Sequence, residues 1–372
     1  MTTCKEWLFD PLDTLFFREG QPFGEGEGHA LESRFPPSPQ TMQGVIRSAI
    51  LLSHCKNIEN FRKNGCASCN ECSIQGAIGS PRDGDLGNLK LEGPYLSKAG
   101  VRYCPAPSDL VLIETSKEIH SLKPAEQPVP SDIGILRYPS AADRGTPLEG
   151  WIAQTDLERY LKGDLRGLSV LKAEEFFNKE PRVGIGRDNL TRTVKEGMLY
   201  SISPIRFHED ARIEMLVCGN VPDPVGFASK VGGEGRPCRV NIKATSKESA
   251  KVGRDTGDAC LKLVFLQPAI LDSAWLLDGF TPAVKDGYNV WKGTISGVGL
   301  TLYSACIRRA EPIGGWNKAS KSPRAIRSCV PAGSVYYLEA DSVEGAHKLL
   351  YTEGGMGGYT SMGFGYYRVG RW

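Results

Sequence analysis

The sequence predicts an α+β protein, and three observations point there. Apolar runs of strand length recur along the whole chain, with only a few stripes of helical spacing between them. Turn formers are abundant, 43 glycines and 24 prolines without a period, so loops should be long and numerous. The length, 372 residues, suits two domains of ordinary size.

The elements follow in order. Residues 6–17, rich in Leu and Phe and closed by a Gly/Glu-rich stretch, read as a strand. After Pro36, Pro37 and Pro39 comes a helix with Thr41 as its cap. Met42, Val45, Ile46, Ile50 and Leu51 form its apolar stripe, and it ends near His54. Residues 55–180 read as irregular, apart from a short run at 110–113 and a helix within 151–178 that carries Leu157, Leu161, Leu165 and Leu168. Residues 182–207 read as a hairpin with a basic tip. Strands are predicted at 211–217, 236–243, 260–266, 295–308 and 334–340, a helix at 343–351 and a last strand at 364–369. The boundary falls near 205–210. Domain 1–207 then carries an insertion at about 55–180, and domain 208–372 is its counterpart. The similar strand and helix content of the two halves fits a duplicated small α+β domain.

Composition narrows function by exclusion. Lys and Arg number 45 against 43 Asp and Glu, a net charge of +2, so the chain is no histone-like polycation. A basic groove can still sit on a neutral protein. No run of 18 apolar residues predicts a membrane helix, and the opening MTTCKEWLFD lacks a signal pattern, so the expected compartment is the cytoplasm. G-x-x-x-x-G-K-[ST], H-E-x-x-H and a Rossmann fingerprint after a strand are all absent.

Eleven cysteines are present, and four of them fall within Cys55, Cys66, Cys69 and Cys72. In a reducing compartment such clustering points to a metal or to redox chemistry before disulfides, with free thiols as the plain alternative. Two x2 spacings bring three thiolates to one ion and Cys55 completes a tetrahedron, the donor set of structural zinc. An iron–sulfur cluster is the alternative, with Cys104 or Cys55 as fourth ligand; His54 is a further candidate. Either would staple an insertion that buries little core of its own. Cys218, Cys260 and Cys306 lie in apolar strands and read as small core residues.

Near the C-terminus, Gly355-Met356-Gly357 and Gly363-Phe364-Gly365 bracket five residues. Glycine at this density suits positive φ and a close approach of backbone N–H groups to phosphate, or simply a tight turn. This loop (354–365) resembles the glycine-rich loop of the RAMP superfamily. The opening 7–50, Val231-Gly232-Gly233-Glu234-Gly235-Arg236, Gly314-Gly315-Trp316-Asn317 and 330–337 are similar, in order, to the third subunit of the type III-B (Cmr) CRISPR RNA-guided effector. The resemblance leaves out 55–180. It implies two ferredoxin-like (RRM-like) domains, the first with a Cys-rich, loop-rich insertion. It also implies a non-catalytic role in antiviral defence, holding the repeat-derived 5′ tag of the CRISPR RNA. The implied protein partners are the large polymerase-like subunit and the adjacent RAMP backbone subunit. One departure stands out: the five residues between the glycine pairs hold no Lys or Arg, which the family usually has, so charge on a phosphate must be met elsewhere.

RNA recognition combines cations on phosphates with aromatics on unpaired bases. Residues 306–328 hold six cations against one acid, with Trp316 at the centre and Lys318, Lys321, Arg324 and Arg327 around it. The hairpin carries Arg187, Arg192 and Lys195, and by resemblance 182–202 is a thumb folding over the guide strand. Gly232, Gly233 and Arg236 form a further candidate, the alternative being a turn in which Arg236 meets Glu234. The remaining RNA-binding candidates are Gly355, Gly357, Tyr359, Gly363, Gly365, Arg18 and Arg47. Two other function classes stay open. One is an endoribonuclease using His29 as an acid–base group; the other is an iron–sulfur redox protein.

Overall fold

The computed structural model describes residues 3–17, 29–65, 73–81, 85–131, 134–188, 190–226, 228–245, 258–317 and 320–372. The fold is mostly β with a few helices, built on two large antiparallel sheets. The chain divides into two compact units. The first comprises Met1–Gly100, Glu174–Ser246 and Pro312–Arg327; the second comprises Val101–Ala173, Lys247–Glu311 and Ser328–Trp372. A single boundary at 207/208 therefore does not describe the chain. Ala211–Cys218 and Arg236–Ala244 supply the ladder partners on both sides of Cys4–Pro11, so the first unit runs through 207. Most of the predicted insertion, 101–173, goes with the second unit.

In the first unit the strands Lys90–Lys98, Ala211–Cys218, Cys4–Pro11, Arg236–Ala244 and Ala228–Val231 lie side by side in that order. The predicted strand at 6–17 stops at Pro11, and Leu15 then bridges to Ile205. Lys90–Lys98 escaped the sequence reading because Glu92, Gly93 and Pro94 interrupt its apolar pattern. Seven consecutive residues of this strand are buried, which is the burial of a strand covered on both faces. Helix Pro39–His54 packs on it and on Ala228–Val231, burying Met42, Val45, Ile46, Ala49, Ile50 and Leu51. Its cap is Ser38, not Thr41: Ser38 has extended dihedrals and its hydroxyl accepts the Thr41 N–H at 3.2 Å. Cys218 is likewise no free core thiol, for it is disulfide-bonded to Cys4, its register partner across the two strands.

In the second unit Val298–Cys306, Val335–Ala340, Cys260–Phe265 and Tyr366–Arg371 are adjacent in that order. Two strands missed in the sequence, Thr281–Lys285 and Tyr288–Ile295, extend one edge, and Glu353–Gly355 the other. Leu261, Leu263, Phe265, Leu338, Tyr367 and Val369 turn one face into a core with Ala346 and Leu349 of helix Val343–Leu349. Helix Gln154–Leu161 sits on Tyr366–Arg371 so closely that a Cβ on Gly370 would lie 2.6 Å from the Leu161 carbonyl. That helix is shorter than the periodicity suggested. Gly163 and Gly167 adopt positive φ, leaving Leu165 and Leu168 beyond it. Among the described residues no helix is long and apolar enough to cross a membrane.

Candidate nucleic-acid interface

Two of the sequence motifs meet in the first unit. The turn after Cys4–Pro11 brings Asp13, Thr14 and Phe16 against Gly232, Gly233 and Arg236. The Gly233 N–H donates to the Phe16 carbonyl at 2.7 Å. A Cβ on Gly232, whose φ is +72°, would stand 2.6 Å from the same oxygen, so only glycine lets the two segments close. Arg236 donates through Nη1 to Asp13 Oδ2 at 2.7 Å; the Glu234 side chain, the partner considered from sequence, lies outside the described residues. Asp13 is held below the usual carboxylate range, first by the Thr14 N–H and then by Arg236 and Arg206.

The hairpin of Arg182–Arg187 and Val194–Ser203 rises beside this turn. Its tip is shaped by Asp188, which accepts the N–H groups of Leu190 and Thr191 at 2.8 Å each. Arg187 and Arg192 are exposed there, and Arg187 Nε donates to the Arg192 carbonyl at 3.3 Å. The Lys195 side chain lies outside the described residues, as do Arg18 and Lys318.

The basic segment near 306–328 is a second hairpin, Glu311–Asn317 with Ser322–Cys329. It adjoins the helix Pro39–His54: Arg34 donates to the Pro312 carbonyl, and a Cβ on Gly315 would meet Gln40 Nε2 at 2.8 Å. Trp316 is 60% exposed and Lys321 is exposed, while Arg324 and Arg327 are half-buried. Arg47 is engaged within the first unit. Its guanidinium donates to the Gly79 and Ser80 carbonyls, at 3.3 and 2.5 Å. Burial lowers its pKa, and nearby Arg324 adds to that.

The glycine-rich loop lies in the second unit, where its glycines serve the backbone. A Cβ on Gly357 would stand 2.3 Å from the Ile270 carbonyl, and one on Gly365 1.9 Å from the Met356 carbonyl. Tyr359 and Gly363 have left-handed φ, and a Cβ on Gly355 would meet Thr360 at 2.9 Å. The N–H groups of Met356, Gly358, Gly363 and Gly365 donate to carbonyls of the protein itself. Of the loop's candidate residues, Gly363 and Gly365 thus have their N–H groups engaged by carbonyls of the protein.

Of the cysteine cluster only Cys55 is described: a free, half-exposed thiol at the C-cap of the helix Pro39–His54. Cys66, Cys69 and Cys72 lie outside the described residues, as does the side chain of His29. Among the described residues no group of three or more His, Cys, Asp or Glu side chains could hold a metal. Cys104 is buried, and His54 Nε2 is 2.6 Å from the Asp223 carbonyl.

Sequence reasoning missed Glu180, Arg182 and Arg206. The Arg182 guanidinium reaches Thr14 at 3.2 Å and Glu180 at 3.0 Å, and Arg206 grips Glu180 through Nε and Nη2. No motif marks them, because Arg182 and Arg206 come from separate strands and Glu180 from the link before Arg182.

Two antiparallel sheets whose four main strands share one order, with glycine-tight turns and an arginine-rich corner in the first unit, define a two-unit β-rich protein. Its family follows from comparison with known proteins. The family model described as CRISPR-associated protein (Cas_Cmr3) matches residues 7–372, so the chain belongs to that family. This bears out the resemblance read from the sequence. No curated protein matches the chain. Among solved structures, a chain of the type III-B Cmr-beta complex bound to cognate target RNA and AMPPnP is 15% identical. That match covers 89% of this chain and 86% of that one, with a TM-score of 0.45. A chain of the Csm1–Csm4 cassette with AMPPNP is 11% identical over 89% of this chain and 98% of its own, at 0.34. A chain of the Csm3–Csm4 subcomplex of the type III-A interference complex is 12% identical over 91% and 94%, at 0.32.

Proposed function

We propose that the chain is a non-catalytic, RNA-binding subunit of a type III-B effector. It holds the repeat-derived 5′ tag of the CRISPR RNA and docks on the large polymerase-like subunit and the adjacent backbone subunit. The observation that carries this reading is the convergence in the first unit of the Asp13 turn, the Gly232–Arg236 segment and the base of the hairpin. They form one arginine-rich corner whose close backbone packing depends on glycine. Arginine forks suit phosphate, and exposed Trp316 suits an unpaired base.

The strand order supports two ferredoxin-like units. Numbered along the chain, the four main strands of each unit lie 2-3-1-4, all antiparallel, as a βαββαβ chain arranges them. The expected helix after the first strand is Pro39–His54 in the first unit. In the second unit, Val343–Leu349 stands after the third strand. Within the first unit, Cys55, Cys66, Cys69 and Cys72 are proposed to bind a structural zinc. The free Cys55 thiol fits that donor set, and bound zinc would supply only a staple.

The test is affinity purification from the native host with sequencing of retained RNA and identification of retained proteins. Mature guides sharing one 5′ end, recovered with the large and backbone subunits, are the expected result. A chain that emerges alone and free of RNA refutes the reading.

A further inference from the structure

Three arginines share two carboxylates at the corner of the first unit. Asp13 takes Arg236 at 2.7 Å and stands 3.6 Å from Arg206. Glu180 takes Arg206 in a fork and Arg182 at 3.0 Å. The five side chains form a ladder with one positive charge in excess. All are accessible: Arg182 is 40%, Arg206 49% and Glu180 34% exposed. Ion pairs this exposed are weak, and each guanidinium has five N–H donors. Two guanidiniums closing on one carboxylate make the geometry that also closes on a phosphate. Both arginines hold Glu180 below the usual carboxylate range, so it stands there as an anion. Arg182 also opens a strand face on which the next position, Gly184, carries no side chain.

We infer that Arg182 and Arg206 bind a backbone phosphate of single-stranded RNA, and that Glu180 occupies their forks until the RNA displaces it. The inference rests on the RNA-binding reading and adds to it a phosphate seat and a resident competitor. Glu180 keeps the two arginines together on one carboxylate, at the cost of some affinity.

The test uses the full chain and a fluorescent single-stranded RNA carrying the repeat-derived 5′ end of the host guide. Kd is measured across salt, from about 0.05 to 0.3 M. Arg182→Ala with Arg206→Ala should raise Kd by about 10- to 100-fold and flatten the log–log salt slope by about 1. Arg182→Lys with Arg206→Lys should keep most of the slope and recover part of the affinity. Glu180→Gln should tighten binding by about threefold, because it removes the competing charge. If the ladder only braces the fold, Glu180→Gln leaves Kd unchanged or raises it, and that result overturns the inference. Melting curves of each variant separate lost binding from lost folding. Wild-type chain that binds no RNA sinks the RNA-binding reading itself. Wild type that binds, with all variants indistinguishable from it, sinks the phosphate seat alone.

Discussion

Lys262 is the residue whose surroundings least suit it. It is 2% exposed, on Cys260–Phe265, with its ammonium 3.3 Å from the ring centroid of Tyr160. Burial pulls its pKa down to about 8, although Asp109 nearby works against that. Asp109, fully buried, accepts hydroxyl protons from Tyr160 at 2.7 Å, Ser121 at 2.6 Å and Tyr337 at 3.1 Å. The unfolded chain keeps Lys262 protonated up to about pH 10.4, so between that value and the folded pKa the unfolded state binds more protons. Stability from this residue therefore rises with pH above about 8. Lys262→Met removes the titration while keeping the bulk. Thermal melts of both proteins from pH 7 to 9.5 should show the wild type gaining on the variant by about 2 kcal/mol. A pH-independent difference would show that the ammonium is not desolvated as its burial implies.

At the scale of elements, turns and caps carry the specificity. Gly365 has φ +63° with the Met356 carbonyl 1.9 Å from where a Cβ would be. Gly365→Ala should lower stability by about 2 kcal/mol or more, read as a fall in Tm. Its RNA affinity should change only as far as the fold does. A variant with wild-type Tm and lost RNA binding would show that the loop works at the ligand directly. The helix Pro39–His54 was legible because its apolar spacing is strong, while its cap was misplaced by three residues because Ser38 and Thr41 are both hydroxyls. Lys90–Lys98 and Thr281–Lys285 were not legible. One is buried on both faces and so lacks alternation, and the other is an exposed edge strand with a proline. The basic segment near 306–328 reads as a loop by composition. Strand pairing orders it into the hairpin that holds Trp316.

At the scale of the whole molecule, each unit is drawn from three separate stretches of chain. The cysteine cluster belongs to this scale, since a zinc between Cys55 and Cys66–Cys72 would tie the end of a core helix to the segment after it. Purified chain should carry about one zinc by elemental analysis, and a strong chelator should lower its Tm. Metal-free protein with an unchanged Tm, or a chromophore near 400 nm, would count against zinc.

The sequence by itself determined the family, the β-rich character with scattered helices, the main helices and hairpin, and the glycine motifs. All of these are local: they are written in neighbouring residues through side-chain period, turn chemistry and motif order. Tertiary structure alone decided that both units share one strand order and that Cys4 meets Cys218. It also decided that Gly357 and Gly365 close against the carbonyls of Ile270 and Met356, and that Arg182, Arg206 and Arg236 converge on Glu180 and Asp13. Asp13 and Arg236 are 223 positions apart, and no pattern along the chain records which distant strands will pair. That is settled only when each strand finds partners for its backbone groups and a core for its apolar face.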